Sequence, residues 1–366
     1  MPIPYQFDQR NDLGDIIFSD AAEGSDFAFD RNDELVFMAK DAGDRVTAAT
    51  LPAGSADALE IELADPVDGG RGWAYLVRFS DDPPPPSAVR YATFDTALNH
   101  LGADLYSIDY APGRNYFLAM RLAPEAGGNG ESIADRMSVR VNPTFSLLFT
   151  SWSPEFTEDS FTVQIDGVKN GSVRAIRRVR QSLDLGKYFP EVPGGTTYTY
   201  YYFSSFSTPS KFSLPWLALK ALRAFRFTGV SVLGKHASGM QYWDAANPDG
   251  VRLGTTLAAG VETAQDHDWY VLSGSRGACL HTFAMPEEWR RWGIVRGTVL
   301  QGDSPTAVAD VAGYSLLNMT NLRAAGVYDM DMAVIFLPHA YRPGDEVEPL
   351  KMLRQPLAVL VRPVAM

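Results

Sequence analysis

The chain has 366 residues, of which 46% are hydrophobic and 21% charged, so it predicts a folded protein rather than a disordered or collagen-like chain. The formal net charge is −12 and basic residues form no long run, which argues against nucleic acid as a partner. The single cysteine, Cys279, excludes an intramolecular disulfide and a cysteine-rich zinc site.

Membrane and export signals are weak in this sequence. No segment approaches the roughly 18 consecutive apolar residues of a spanning helix, so no transmembrane segment is expected. Residues 1–20 carry acids and lack an apolar core, so no signal peptide is expected in the sequence as it stands.

Short segments that alternate apolar and polar residues recur along the chain, separated by Gly, Pro, Asn and Asp. Their spacing is typical of an all-β, mostly antiparallel fold and predicts a large β-sandwich or supersandwich with a few short helices. The predicted strands are Leu35–Ala39, Leu59–Leu63, Trp73–Phe79, Phe145–Thr150, Phe161–Ile165, Ser172–Ile176, Thr196–Phe203, Trp269–Ser273, Ala278–Phe283, Ile294–Leu300, Met332–Leu337 and Leu357–Val361.

Three segments carry helix signals. Residues 214–227 are apolar almost all round, which favours a buried helix with a charged rim. Pro286 and the glutamates after it form a good helix start, and Gly293 ends that helix. Near the end of the chain, Asp345 is a candidate N-cap, although Pro349 interferes with a clean start before it.

A run of four prolines, Pro83–Pro86, predicts an extended spacer. We therefore expect residues 1–82 to form an N-terminal β unit and residues 83–87 to form the spacer. Residues 88–366 would then form the main β-sandwich, either separate from the N-terminal unit or continuous with it.

The segment at 265–283 combines two histidines, a tryptophan and the cysteine. If Ser273–Gly277 is a five-residue turn, Trp269 faces His281, and His267 shares their face, so that the two imidazoles could share a metal or a substrate. A half-buried strand pair with hydrogen-bonded histidines is the alternative. A turn shorter by one residue would place His267 and His281 on opposite faces.

Other polar candidates are scattered along the chain. The side chains of His236, Tyr242 and Trp243 combine aromatic faces with polar tips, as sugar-binding sites do, whereas His339 and Arg342 follow a strongly apolar strand. Clustered oxygen ligands before the first predicted strand suggest a calcium site, although their spacing misses the regular calcium-loop pattern. The candidate metal ligands are Asp26, Asp30, Asn32 and Asp33.

The segment "FDRNDELVFMAKDAGDR", followed by "LEIELADPVDGGRGWAYLVRF", resembles the opening of bacterial supersandwich proteins of polysaccharide-degrading systems. In that group an acid-rich loop leads into an "ELVF" strand, and a sandwich of the galactose-mutarotase type follows. The resemblance covers about the first 80 residues and, more loosely, "YRPGDE". It implies a saccharide-related role and a periplasmic or extracellular location, with a cytoplasmic one still open.

Two functions follow from this reading. The first is a carbohydrate-binding or carbohydrate-active sandwich, with saccharide as its partner and no cofactor unless calcium binds. Histidine would act there as the acid or base, with His267, His281 and His339 as candidates. His236, Tyr242, Trp243, Trp269 and Arg342 are the candidate ligand-binding residues. The second is a non-catalytic structural or assembly protein that uses aromatic strands for protein contacts. An oligomer is compatible with either function.

Overall fold

The computed structural model describes residues 2–18, 29–47, 50–147, 150–183, 192–214, 216–233, 239–253, 261–264, 268–300 and 311–365. Strands dominate these residues, their pairings are antiparallel, and the helices are short. The predicted all-β, mostly antiparallel fold class is confirmed.

The first strands in chain order are β1 Tyr5–Asp8, β2 Glu34–Phe37, β3 Ser55–Ala64, β4 Arg71–Phe79, β5 Ala92–Asp95, β6 His100–Ala103, β7 Tyr106–Tyr110, β8 Phe117–Leu122, β9 Arg136–Leu147, β10 Thr150–Trp152, β11 Phe156–Thr157, β12 Phe161–Asn170 and β13 Ala175–Leu183. They are followed by β14 Val192–Tyr201, β15 Ser205–Leu214, β16 Leu222–Val232, β17 Gln241–Asp244, β18 Asn247–Arg252, β19 Val261–Ala264, β20 Trp269–Gly274, β21 Gly277–Ala284, β22 Val295–Leu300, β23 Val311–Leu317, β24 Gly326–Leu337 and β25 Ala358–Pro363. The α-helices of the described residues are α1 Trp216–Ala221, α2 Glu287–Arg291 and α3 Val347–Arg354.

The chain divides into two compact units. Unit 1 comprises residues 1–91, 171–173 and 344–366, and unit 2 comprises residues 92–170 and 174–343. Residues 82–90, which contain the proline run, form neither helix nor strand. The predicted domain boundary at residues 83–87 stays a prediction.

Unit 2 is built from three sheets around one core. A nine-stranded sheet has the order β12-β13-β14-β15-β24-β21-β20-β17-β18, and a seven-stranded sheet has the order β10-β9-β16-β23-β22-β19, with β11 also paired to β9. The third sheet is β5-β6-β7-β8. Inward side chains from all three, such as Tyr201, Tyr314 and Met120, belong to the same cluster of buried residues. The alternation of each strand therefore serves a shared apolar layer.

That layer also contains a buried cation. Arg177 is only 1% exposed, and its guanidinium carbon lies 4.5 Å from the ring centre of Tyr110. Its Nη1 donates to the side-chain oxygen of Asn115 at 2.8 Å, and the Tyr201 hydroxyl donates to that of Tyr110 at 2.8 Å. Aromatic faces and an amide thus stabilise a charge that burial alone would disfavour.

Unit 1 contains the two-stranded sheet β1-β2 and the three-stranded sheet β25-β3-β4. Its small core consists of Ile61, Leu63 and Ala74, with partly buried neighbours such as Leu35 and Phe37. The C-terminal strand β25 pairs with β3 from Ala358 opposite Ala64 to Pro363 opposite Leu59.

One of the three predicted helices is wrong in part. Residues 214–227 form the short helix α1 followed by β16, which lies between β9 and β23 in the seven-stranded sheet. Residues that are apolar all round fit a central strand as well as a buried helix. Trp216 in α1 is 58% exposed rather than buried.

The two other helix predictions hold better. Helix α2 begins after Pro286, and Gly293 follows it with a φ of +78°. Helix α3 begins at Val347, and its N-cap is Glu346, one residue later than the predicted cap Asp345. Pro349 fits inside its first turn, where an N–H has no partner within the helix. None of the described helices is long and apolar enough to cross a membrane.

The hairpin of β20 and β21 has a different register from the predicted one. Tyr270 lies opposite His281 and Gly274 lies opposite Gly277, so Ser275 and Arg276 alone form the tip. The predicted five-residue turn is therefore wrong. Gly277 has a φ of +112°, and a Cβ there would lie 2.6 Å from Leu122 Cδ2, which explains why glycine closes this turn.

We predict that Gly277→Ala lowers the free energy of unfolding by about 2–3 kcal/mol, since it adds a clash to an unfavourable backbone angle. Gly113→Ala is the matched control, because Gly113 has a φ of +66° but a Cβ added to it would have nothing within 4 Å. The control should lose only about 1 kcal/mol. Equal losses in urea denaturation would contradict the packing explanation.

Candidate functional site

The observed hairpin register separates the predicted site residues. His281 shares a face with Tyr270 and Cys279, whereas Trp269 lies on the opposite face with Thr282. His267 lies outside the described residues, as does His236. The predicted grouping of His281 with Trp269 on one face is therefore wrong.

His281 is partly buried and packs against its neighbours in the hairpin. Its ring stacks on Tyr270 with a centroid distance of 4.5 Å, and Nε2 lies 3.3 Å from Cys279 Sγ. Loss of solvation lowers the pKa of His281 to about 3 and raises the pKa of the Cys279 thiol to about 12. Both groups are therefore neutral near pH 7. The catalytic role proposed for His281 stays a prediction.

Tyr242 and Trp243 are buried. The Tyr242 hydroxyl donates to Asp244 Oδ2 at 2.7 Å, and the Thr298 hydroxyl donates to the same oxygen at 2.7 Å. The other oxygen of Asp244 accepts from the backbone N–H of Asn247 at 2.8 Å. This carboxylate thus holds β17 and its turn together, and the Tyr242 hydroxyl is used in a hydrogen bond within the protein.

Trp243 is 7% exposed, and its ring centre lies 5.1 Å from that of Tyr341. The remaining predicted residues of unit 2 lie nearer the surface. His339 and Arg342 are exposed in the segment between β24 and α3, whereas Trp269 is partly buried at the start of β20. Their proposed roles in binding or catalysis stay predictions.

In the acid-rich segment, the described side chains hold the loop together. The Arg10 backbone N–H donates to Asp33 Oδ1 at 2.8 Å, and Asn32 donates to the carbonyl of Asn11 at 2.9 Å. The backbone N–H of Asn32 donates to Asp30 Oδ1 at 3.0 Å. Within the described part of the chain, no three acidic, His or Cys residues form a group suited to a metal. Asp26 lies outside that part, and calcium stays a prediction.

One polar cluster was not predicted from the sequence. On the outer face of the sheet β5-β6-β7-β8, His100 Nδ1 lies 2.6 Å from Asp109 Oδ1, and Arg121 donates to the other oxygen. Partial burial would raise the pKa of Asp109, but the bonds from Arg121 and His100 outweigh it and lower the pKa. Each side chain is about one-third exposed, so this cluster is a solvated ion-pair network.

A cavity of 430 Å³ lies in unit 1, on the polar face of the sheet β25-β3-β4. Arg362, Glu60 and Tyr75 are direct neighbours across its three strands. Because side chains alternate, Glu60 faces away from the core residues Ile61 and Leu63. We call this space the Glu60 cavity. Its lining residues are Arg45, Val46, Thr47, Glu60, Arg362, Pro363, Val364 and Ala365.

Glu60 is held as a carboxylate. Arg45 donates to both of its oxygens, from Nε at 3.0 Å and from Nη2 at 2.9 Å, and the Tyr75 hydroxyl adds a bond at 3.1 Å. The hydrogen bond from Arg45 holds the pKa of Glu60 below its usual value, against the effect of lost solvation. Glu60 is therefore ionised at neutral pH and fixes the position of Arg45.

The second cation at the cavity is Arg362. Its Nη2 lies 3.5 Å from Glu62 Oε2, whereas Arg71 contacts the other oxygen of Glu62 at 2.9 Å. Arg362 therefore shares a carboxylate that already has a closer partner. Its side chain is 49% exposed and that of Arg45 is 58% exposed, so both guanidiniums can meet a ligand.

The predicted strand Leu59–Leu63 was the available signal, because alternation along it places Glu60 and Glu62 on one strand face. The sequence did not show that Arg45 and Arg362 cover that face, because they lie far from it along the chain. The pairing of β25 with β3 brings Arg362 into place.

Comparisons with known proteins give little guidance. No protein-family model and no curated protein matches the chain. An alpha-mannosidase from Enterococcus faecalis overlaps it with a TM-score of 0.46 and 9% identity, covering 85% of this chain and 39% of that one. A protein in the glycosyl hydrolase family 38 from Enterococcus faecalis gives 0.47 and 9%, covering 83% and 40%. The chain thus spans well under half of these structures, and at this similarity neither indicates what it binds.

We predict that His281 makes folding sensitive to mild acid. Its folded pKa of about 3 is below the ordinary 6.5, so from about pH 6.5 downward only the unfolded chain takes up this proton. The free energy of unfolding should then fall by up to about 1.4 kcal/mol per pH unit until the folded pKa is reached.

Denaturant titrations between about pH 7 and pH 5 would measure this slope. His281→Phe should remove the His281 component of the slope, whereas His339→Gln, at an exposed histidine, should leave it unchanged. An unchanged slope in His281→Phe would contradict the assignment.

Proposed function

We propose that unit 1 binds an acidic saccharide, such as a uronate, in the Glu60 cavity. The observation that carries this proposal is the charge of the lining, where the guanidiniums of Arg45 and Arg362 face the single carboxylate of Glu60. The whole chain carries a formal charge of −12, so a cavity with excess positive charge is a local exception. An anionic group is the ligand feature that such a cavity favours.

The geometry supports a carboxylate as that group. Guanidinium forks bind carboxylates through paired N–H groups, and Arg45 already does so with Glu60. Arg362 is the more available partner, because its 3.5 Å contact with Glu62 is longer than an ordinary hydrogen bond. Arg362 can therefore turn toward a ligand without breaking a strong bond.

The rest of the lining suits a sugar ring. Val46, Pro363 and Val364 offer aliphatic surface for the C–H groups, and Thr47 supplies a hydroxyl among the lining residues. The volume of 430 Å³ is within the range of small-molecule sites, about 300–1,000 Å³. A monosaccharide or a short oligosaccharide matches this size.

The ionised state of Glu60 favours a binding role over a catalytic one. A general acid must carry a proton at the working pH, and the low pKa of Glu60 removes that proton. The carboxylate of Glu60 is also occupied by Arg45 and Tyr75. Its role in this proposal is to orient Arg45.

Calorimetric titration with glucuronate and galacturonate, beside glucose and galactose, tests the proposal. We predict that the uronates bind more tightly than the neutral sugars and that added salt weakens them. Arg362→Gln should reduce uronate affinity about tenfold to a hundredfold, the loss expected for a charge-assisted hydrogen bond of about 1.5–3 kcal/mol.

Arg78→Gln is the matched control. Arg78 lies in the same sheet, is 74% exposed and contacts Asp57 at 3.6 Å, but it does not line the cavity. Uronate affinity should be unchanged in this variant. Equal binding of neutral sugars, or equal effects of the two substitutions, would refute the acidic-saccharide assignment.

A further inference from the structure

Strand β25 is an edge strand with an unusual surface. All of its residues are exposed, and three consecutive ones are large and apolar, with Val359 61%, Leu360 46% and Val361 51% exposed. It lies at one edge of the sheet β25-β3-β4. The opposite edge, on β4, exchanges backbone hydrogen bonds between Trp73 and Gly43. Exposed apolar edges readily pair with another strand, so soluble proteins usually block them.

The backbone of β25 shows which groups face outward. The Val364 N–H donates to the Ala58 carbonyl at 2.9 Å, which makes this a hydrogen-bonded pair of the antiparallel ladder with β3. In such a ladder every second residue points its N–H and C=O toward the partner strand. The backbone N–H and C=O groups of Leu360 and Arg362 therefore point toward β3, and those of Val359 and Val361 point away from the sheet.

We propose that β25 pairs antiparallel with β25 of a second copy of this chain, centred on Leu360. In this register Val359 of each copy lies opposite Val361 of the other, and both residues exchange N–H and C=O bonds. The three-stranded sheet becomes a continuous sheet across a two-fold axis, an arrangement in which the same patch serves both copies.

Neighbouring registers are less favourable. Centring on Val361 would place Val359 opposite Pro363, which has no N–H to donate. Centring on Arg362 would place two guanidiniums directly opposite each other, and like charges in this position are destabilising. In the register centred on Leu360, Arg362 lies opposite Ala358, and the apolar residues face one another. Charge and hydrogen bonding thus select a second copy of the strand in one register.

The side chains support the same occupant. Val359 and Val361 lie on the face of Leu63 and Ile61, so pairing would extend the small apolar layer of unit 1 across the new strands. The pair of Leu360 residues would meet on the opposite face. This inference does not depend on the proposed ligand, since the Val361 side chain faces away from the Glu60 cavity.

Sedimentation over a range of protein concentrations would test the pairing first. The 40.2 kDa chain should form a dimer, and salt should strengthen it because each copy has a formal charge of −12. Val361→Pro removes an outward N–H without removing a bond to β3, and should weaken the dimer at least tenfold. Val361→Thr keeps that N–H and should stay dimeric. A wild-type chain that is monomeric at every concentration would overturn the proposal.

Disulfide trapping would then test the register. Leu360→Cys places two thiols on residues with Cα atoms about 4.5 Å apart, within the range of a disulfide, and should give a covalent dimer under mild oxidation. Ala358→Cys is the control, because the Ala358 positions of the two copies would lie four residues apart along the strands, about 13 Å. The native Cys279 is buried and serves as a common background. Trapping through Ala358→Cys but not Leu360→Cys would overturn the register.

Discussion

The shared apolar layer of unit 2 is the constraint on which most of this structure depends. Three sheets direct alternate side chains into one core, so every polar group on an inward face needs a partner there. Asp244 obtains hydroxyls and backbone N–H groups, and Arg177 obtains aromatic faces and an amide. His281 stacks on a tyrosine and stays neutral. Side chains with the chemistry of an active site are thus engaged in contacts within this unit.

Unit 1 has the opposite arrangement. Its small core covers only one face of the sheet β25-β3-β4, and the other face carries Glu60 and Glu62 beneath the stems of arginines. Because no second apolar layer covers that face, the two buried glutamates are covered by arginines, of which Arg45 and Arg362 are about half exposed. The Glu60 cavity lies on that face, so the candidate site is a consequence of how little of this sheet is packed.

Strands with strong period-two patterns could be predicted from the sequence. The predicted strand Trp73–Phe79 lies inside β4, and Ile294–Leu300 differs from β22 by one residue. The sheet formed by residues 92–122 was missed, since most of its strands are four or five residues long and offer too few alternations. The hairpin register could not be predicted in the same way. Glycine is required at Gly277 because Leu122 lies close to it, and these two residues are far apart in the sequence. The Glu60 cavity could not be predicted for the same reason, because Arg45, Glu60 and Arg362 come together from separate parts of the sequence.

The proposed dimer and the proposed ligand site are linked through β25. Residues opposite each other across a strand pair lie on one face of the sheet, so both Glu60 cavities would open on the same side of the continuous sheet. With Arg362 opposite Ala358, the two Arg362 positions would be separated by about 13 Å along the strands. A polymer with repeated carboxylates would then contact both cavities at once, and its second contact would be intramolecular. Polymeric acidic saccharides would therefore bind more tightly than their monomers. The gain would come from the second cavity that the symmetric dimer supplies, without any additional contact within one cavity.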